Sequence, residues 1–172
     1  MDFEEKTLEK NVVYNGKILN LRKDKVMLPN GKEGAREIVE HGGGSAVLCE
    51  RDGKVLMVRQ FRYAYGECVW EIPAGKVDRG EDPLDTAFRE LEEECGVKAG
   101  KMTLLFTVYP SPGYTSEIIR IYRAEDIVKG KNRLDEDEFL TAVWVEKARL
   151  KSMIKDGEIK DSKTLIALLY AL

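Results

Sequence analysis

The chain has 172 residues, of which 43% are hydrophobic and 34% are charged, and its formal net charge is −3. This length and composition predict a globular protein with a substantial core, and the weakly negative charge disfavours a nucleic-acid partner. The chain contains no apolar run long enough to predict a membrane-spanning helix, and residues 1–6 lack the apolar core of a signal peptide. We therefore expect a cytoplasmic protein whose three cysteines stay reduced and largely buried.

The N-terminal part of the chain carries the signals of antiparallel strands. Asn15-Gly16 lies between two apolar runs and strongly favours a hairpin. Residues 28–31 form a second turn, and three glycines at 42–44 form a junction. Strands are expected at 12–14, 18–21 and 36–40. We therefore divide the chain into an N-terminal β-strand unit, residues 1–41, and a main domain, residues 42–172.

The main domain alternates strands with one glutamate-rich helix and ends in two further helices. Its strands are expected at 45–49, 55–61, 69–72, 103–109, 118–123 and 142–145. The closing helices are expected at about 146–155 and 161–171, and Asp161 is a natural N-cap for the second. This order of sheet, helix, sheet and helices predicts an α+β architecture.

The glutamate-rich helix is signalled at both of its ends. Asp82 can cap it, and Pro83 suits its first position. Gly96 suits the left-handed residue that closes the helix. An apolar stripe along one side is expected from Leu84, Ala87, Phe88, Leu91 and Cys95.

Three carboxylates share the opposite face of this helix. Glu90, Glu93 and Glu94 are three and four residues apart, so they are neighbours, whereas Glu92 points away. Like charges at this spacing repel each other and weaken an isolated helix. A solvated acidic face is the plain interpretation of such a run. The alternative is a seat for a hard divalent cation such as Mg²⁺.

The segment around the helix resembles the Nudix box, the signature of the Nudix hydrolase family. That pattern is Gly, five residues, Glu, seven residues, Arg-Glu, an aliphatic residue, any residue, Glu-Glu, any residue, Gly and an aliphatic residue. Its fixed positions are all filled, by Gly75, Glu81, Arg89, Glu90, Leu91, Glu93, Glu94, Gly96 and Val97. The resemblance covers nearly the whole chain. It implies an α/β/α sandwich around a mixed sheet, with an additional N-terminal antiparallel β-sheet.

The resemblance also implies the chemistry, which is metal-assisted hydrolysis of a pyrophosphate bond. Mg²⁺ is the implied metal, with Mn²⁺ as an alternative. The implied metal ligands are Glu90, Glu93, Glu94 and the backbone carbonyl of Ala74. Arg89 and Glu81 are expected to pair and to hold the loop and the helix together.

Two segments are similar to those of the ADP-ribose pyrophosphatases within this family. Residues 71–76 resemble the entry to the box, and residues 111–117 resemble a Ser-Pro-Gly loop. The implied substrate is ADP-ribose, cleaved to AMP and ribose 5-phosphate. The implied substrate contacts are Arg36, Glu37, Arg62 and Gly113. Lys17 departs from the pattern, since some members carry an aromatic residue there that stacks on adenine.

Two other functions stay open beside ADP-ribose hydrolysis. The same chemistry could act on another nucleoside diphosphate derivative, such as a nucleotide sugar. A Nudix-fold ligand sensor without turnover is the rival from another class of protein. A sensor of this kind is expected to lack some of the metal-binding glutamates, whereas the sequence has all of them.

The acidic run at residues 135–138 supplies candidates for the general base. A solvated connector is its plain interpretation. The resemblance implies that a glutamate in this late loop activates the attacking water. Glu136 is the first choice and Glu138 the second, and Glu93 is a third candidate for the base.

The N-terminal unit predicts an assembly. A sheet of about this size cannot bury its apolar face alone, so it must dock on the main domain or on a second subunit. The resemblance implies a homodimer, often built by exchanging this sheet, in which each active site draws on both chains. Arg36 of one chain would then serve the site that contains Glu90 and Glu94 of the other.

Overall fold

The structure is a computed structural model that describes residues 3–134 and 139–172. It separates the chain into two compact units, Met1–Gly43 with Tyr109–Ile118, and Gly44–Val108 with Ile119–Leu172. The first unit therefore contains a segment from the second half of the chain. The predicted division at residue 41 stays a prediction.

The first unit is built on an antiparallel sheet. Its described strands are β1 (Lys6–Glu9), β2 (Val12–Asn15), β3 (Leu19–Met27) and β4 (Glu33–His41). β4 pairs with the full length of β3, whose other edge is shared by β1 and β2. The two predicted turns are present, since the Gly16 N–H donates to the carbonyl of Leu19 and the Gly31 N–H to that of Leu28. β1 was not predicted, because four exposed residues carry no apolar alternation.

The second unit is built on a mixed sheet. In the described residues its strands are β5 (Gly44–Arg51), β6 (Lys54–Arg62), β7 (Glu67–Glu71), β8 (Ala74–Lys76), β10 (Lys101–Val108), β11 (Ile119–Glu125) and β13 (Leu140–Glu146). β11 and β5 run parallel, and the other recorded pairs are antiparallel. A small separate ladder joins β9 (Val97–Lys98) to β12 (Val128–Lys129). Gly44 belongs to a strand and not to a junction.

The described helices are α1 (Pro83–Cys95), α2 (Lys147–Lys155) and α3 (Ser162–Ala171). Their positions match the predicted ones. The side chain of Asp82 accepts a hydrogen bond from the Leu84 N–H at 2.8 Å, and Gly96 adopts a left-handed φ of 62°. Asp161 caps α3 by accepting from the Thr164 N–H at 3.0 Å. Among the described residues, no helix combines the length and the apolar character needed to cross a membrane.

The core of the second unit lies on both faces of its sheet. Successive side chains of a strand point to opposite faces. In β5, Ala46 and Leu48 pack in the cluster that contains Leu150 and Leu168 of α2 and α3. Val47 and Cys49 pack instead in the cluster that contains Ala87 and Leu91 of α1. Helices therefore cover both faces, which is the expected sandwich. On the predicted apolar stripe of α1, Leu84 is exposed.

Candidate functional site

Arg89 is the centre of the polar face of α1. Its Nε and Nη2 donate to the two carboxylate oxygens of Glu81 at 2.9 and 3.1 Å. Its Nη1 donates to Oε1 of Glu90 at 2.7 Å and to Oε2 of Glu93 at 3.1 Å. The predicted pair of Arg89 and Glu81 is therefore present. One guanidinium holds the loop before α1 and offsets the repulsion between carboxylates on the helix.

The pairing with Arg89 changes the acidity of Glu81. The hydrogen bonds from Arg89 lower the pKa of the Glu81 carboxyl from 4.5 to about 2, against a smaller effect of burial, with further help from the Thr86 side chain. The folded protein therefore binds this proton more weakly than the unfolded chain does. The resulting stabilisation is fully present above pH 4.5 and is lost as the pH falls towards about 2.

Glu81→Gln should lower the melting temperature at neutral pH, because the amide keeps the volume but loses the charge-assisted fork to Arg89. The difference from the wild type should shrink as the pH falls from about 4.5 to 2, where the wild-type carboxyl becomes protonated. Thermal melts of both proteins at pH 7 and pH 3 measure this. Glu146→Gln, which removes an exposed ion pair with Lys54, should change the melting temperature little at either pH. A difference for Glu81→Gln that is equal at both pH values would contradict the linkage.

Glu94 is buried more deeply than Glu90 and Glu93, whose side chains are 12% and 39% exposed. It is 2% exposed, and its Oε2 accepts a hydrogen bond from the backbone N–H of Ala74 at 3.1 Å. The sequence placed this residue on the polar face with Glu90 and Glu93. In the structure it is turned into the protein, next to the segment that leads into the box.

Gly75 leaves the space that the Glu90 side chain occupies. A Cβ at position 75 would overlap the carboxylate of Glu90. Glycine is therefore required at this position if the Glu90 carboxylate is to keep its place. The close approach brings β8 and the carboxylate of Glu90 together.

The donor chemistry of this site suits a hard divalent cation. Glu90, Glu93 and Glu94 supply carboxylate oxygens, and the adjoining Ala74 supplies a backbone carbonyl. The described residues nevertheless contain no group of three or more acidic, histidine or cysteine side chains arranged as a metal shell. Two of the carboxylates contact Arg89 and the third contacts Ala74. Arg89 and the Ala74 N–H therefore hold these carboxylates in place.

Arg62, a predicted substrate contact, lies at the end of β6 and is held by Glu71 of β7. Its Nε and Nη2 donate to the two carboxylate oxygens of Glu71 at 2.6 and 2.8 Å. The hydrogen bonds to Glu71 raise the pKa of Arg62, and the charges of Glu94 and Asp161 act in the same direction. Arg62 therefore lies within electrostatic range of Glu94. Sequence reasoning did not single out Glu71, although a carboxylate between Trp70 and Ile72 is a signal of a buried ion pair.

The other predicted site residues lie in the first unit or outside the residues that the structure describes. Arg36 and Glu37 are exposed on β4, where Arg36 donates to the carbonyl of Ala35 at 2.9 Å and forms an ion pair with Glu5. Gly113 is exposed in the segment Tyr109–Ile118. Glu136 and Glu138 lie outside the described residues. The structure therefore brings together Ala74, Arg62 and the three glutamates of α1 within the second unit.

The sequence of this chain matches two known domain families. The model of the NUDIX domain matches residues 40–168, and a nucleoside diphosphate sugar hydrolase N-terminal domain matches residues 5–39. An ADP-ribose pyrophosphatase of Bacillus subtilis (strain 168) is 44% identical over 170 residues, which are 97% of this chain and 92% of the relative. A methanol dehydrogenase activator of Bacillus methanolicus is 43% identical over 171 residues, with 98% and 92% covered.

A solved structure supports the fold independently. The crystal structure of an ADP compounds hydrolase matches with a TM-score of 0.85 at 21% sequence identity, covering 98% of this chain and 93% of that one. At this level of identity the likeness concerns the fold. The predicted sandwich with a mixed sheet and a separate N-terminal sheet is confirmed.

Proposed function

The chain belongs to the Nudix family, and from that premise we propose that it hydrolyses the pyrophosphate bond of ADP-ribose to AMP and ribose 5-phosphate. One observation carries the proposal. The complete box folds so that buried Glu94 meets Ala74, within the segment 71–76 that resembles the ADP-ribose pyrophosphatases. The name of the relative from Bacillus subtilis supports the same substrate.

Nudix hydrolases generally require a divalent metal. We propose Mg²⁺ for this protein, with Mn²⁺ as a substitute, held by Glu90, Glu93, Glu94 and the carbonyl of Ala74. A bound divalent cation polarises phosphoryl oxygens and lowers the pKa of water. The hard oxygen donors of these residues support that choice.

The protein's own groups orient the substrate and move the proton. The hydrogen bonds that Arg62 makes to Glu71 use two of its five N–H groups, so its planar fork is held in place with donors left for a phosphate. We propose Glu136 as the base that accepts a proton from the attacking water, with Glu138 and Glu93 as alternatives. The water oxygen bonds to phosphorus while the bridging P–O bond breaks, and the leaving phosphate carries away the electron pair.

A second substrate class is a nucleotide sugar. The description of the family model that matches residues 5–39 favours it. Both substrates contain the same pyrophosphate bond between a nucleoside and a sugar, so the chemistry of its cleavage does not separate them. Specificity has to be measured as a ratio of kcat/KM values.

A substrate panel tests the proposed function. Intact ADP-ribose, ADP-glucose and GDP-mannose resist phosphatase, whereas their hydrolysis products release inorganic phosphate to it. We expect kcat/KM for ADP-ribose to be at least about tenfold above the others, with no release after chelation of the metal. A higher value for either sugar nucleotide would establish the second class. Binding without hydrolysis of any compound would favour the ligand sensor.

We propose that the first unit forms a homodimer interface. β1 and β2 are exposed along their full length. The exposed apolar side chains of this unit include Leu8, Val12, Val13, Tyr14, Ile18 and Leu19. Apolar patches of this kind mark interaction surfaces, and a second copy of the chain is the partner that the resemblance implies.

Light scattering should therefore give twice the chain mass of 19.5 kDa. If each site combines Arg36 of one chain with Glu94 of the other, mixing inactive Arg36→Ala with inactive Glu94→Gln should restore activity. Half of the randomly mixed dimers would be mixed, each with one intact site, so about a quarter of wild-type activity is expected. A site built within one chain would give no restoration, and a monomeric mass would exclude the shared site.

We also propose a cytoplasmic location. Cys49 and Cys68 are free thiols, as is usual for proteins of a reducing compartment. Burial raises the pKa of the Cys49 thiol to about 12, so this group is unreactive. Cys68 is exposed, and the expectation that the cysteines are largely buried is wrong for it.

A further inference from the structure

A buried ion pair joins α3 to β7. Nζ of Lys163 lies 2.6 Å from Oε2 of Glu71, and the two residues are only 9% and 3% exposed. Lysine is almost never buried without a partner, and a buried pair adds little net stability because both ions lose their hydration. Stability alone therefore does not explain why this pair is buried.

The Glu71 carboxylate is fixed from two sides. Arg62 donates to both of its oxygens, and Lys163 donates to one of them. Burial by itself would raise the pKa of Glu71, but the hydrogen bond from Arg62 and the charges of Lys163 and Arg62 outweigh it, so the pKa lies below its usual value. Glu71 is therefore an anion that orients Arg62, and its own orientation depends on Lys163.

The next residue of α3 holds the neighbouring backbone. Oγ1 of the fully buried Thr164 accepts a hydrogen bond from the Ile72 N–H at 2.8 Å. Two residues after Ile72, the Ala74 N–H donates to the carboxylate of Glu94. The first turn of α3 is therefore connected through residues 71–74 to the carboxylate cluster of α1.

We propose that Lys163 is a positioning residue for substrate binding: it fixes the Glu71 carboxylate, which in turn holds the guanidinium of Arg62 in place for the substrate pyrophosphate. This inference rests on the proposed function. The physical reason is geometric, because a carboxylate held by one cation can rotate with it, whereas one held by two cannot. Without Lys163, the planar fork of Arg62 loses its fixed direction.

The positive charge of Lys163 also favours the binding of the pyrophosphate. Lys163 also lies 3.1 Å from Asp161, so Arg62, Lys163, Glu71 and Asp161 contain two cations and two anions. Removing the charge of Lys163 leaves a net negative group around Arg62. A negative group opposes the binding of a pyrophosphate.

The test compares two lysines that connect the same segment to β7. Lys163→Met removes the buried pair, whereas Lys160→Met removes the exposed pair of Lys160 with Glu67, at 2.9 Å, with the same change in net charge. For ADP-ribose hydrolysis we expect Lys163→Met to raise KM about tenfold, the scale of one hydrogen bond to a charged group, and to change kcat less than about threefold. Lys160→Met should leave both constants unchanged. Calorimetric titration with ADP in the absence of metal should show the same loss of affinity without turnover.

A double-mutant cycle decides whether Lys163 acts through Arg62. In the Arg62→Ala background, Lys163→Met should raise KM no further, since the group it positions is gone. Full additivity of the two changes would overturn the proposal. So would an unchanged KM with a kcat that falls in proportion to the unfolded fraction measured by urea titration, because that is the result of a purely structural pair. If Lys163→Met does not fold, Lys163→Gln carries the same comparison.

The two hypotheses fail in distinguishable ways. If the wild-type protein hydrolyses no ADP-ribose, the proposed function is wrong, and the affinity for ADP then tests the role of Lys163. If the wild type is active and Lys163→Met binds ADP and ADP-ribose normally, only the role of Lys163 is wrong.

Discussion

Glu94→Gln should lower kcat for ADP-ribose hydrolysis by about 10³-fold or more while the protein stays folded. The change removes one negative charge from the proposed metal site at nearly constant volume. Charge stabilisation by a bound cation amounts to several kcal/mol, and each 1.36 kcal/mol is about tenfold in rate. The amide oxygen can still accept the hydrogen bond from Ala74, so we expect the urea midpoint to hold or to rise as repulsion falls. Steady-state kinetics and urea titration of the same sample measure both effects.

The matched control for Glu94→Gln is Glu92→Gln. It makes the same chemical change on the same helix, at a side chain that pairs with Lys98 and points away from the other three glutamates. Its activity should stay within about twofold of the wild type, as expected for the loss of a surface ion pair. Near-normal, metal-dependent activity in Glu94→Gln would refute its assignment as a ligand. Equal losses in both variants would point to a general effect of charge on the helix.

Glu136→Gln should lower kcat by about 10²- to 10⁴-fold with little change in the affinity for metal, because it removes the proposed general base and no proposed ligand. The contribution of a base appears in kcat, whereas loss of a ligand also changes the dependence on metal concentration. Titrating activity against Mg²⁺ for Glu136→Gln and Glu94→Gln separates the two roles.

Glu138→Gln is the control for Glu136→Gln, since both residues lie in the same acidic run. A large loss in Glu138→Gln with near-normal Glu136→Gln would exchange their roles. Normal activity in both would leave the run as a connector and make Glu93 the remaining candidate. A bell-shaped pH profile that loses its acidic limb in one variant would identify the base independently.

Local signals in the sequence were enough to predict α1 and the turns. Asp82 and Gly96 act on backbone groups within a few residues of themselves, so the bounds of α1 follow from short-range interactions. Asn15-Gly16 determined its hairpin for the same reason. β1 was missed because its exposed residues have no apolar period.

The box pattern also predicted which residues would meet, but not how they are arranged. The fixed spacing places Glu90, Glu93 and Glu94 on neighbouring turns of one helix, and the pair of Arg89 and Glu81 was expected from the same pattern. Helical geometry alone placed Glu94 on the same face as Glu90 and Glu93. Its burial against Ala74 depends on the packing of β8 against α1, which no periodicity of the helix sequence predicts.

The sequence by itself therefore determined the α+β class, the position of the glutamate-rich helix and the identity of its acidic residues, because each of these depends on interactions between residues close in the chain. Only the tertiary structure decided that Arg62 is held by Glu71 and that Glu71 is held by Lys163. Glu71 and Lys163 are 92 positions apart, so no periodicity or motif connects them. Their contact exists because α3 packs against the sheet that contains β7 and brings one buried cation to one buried anion.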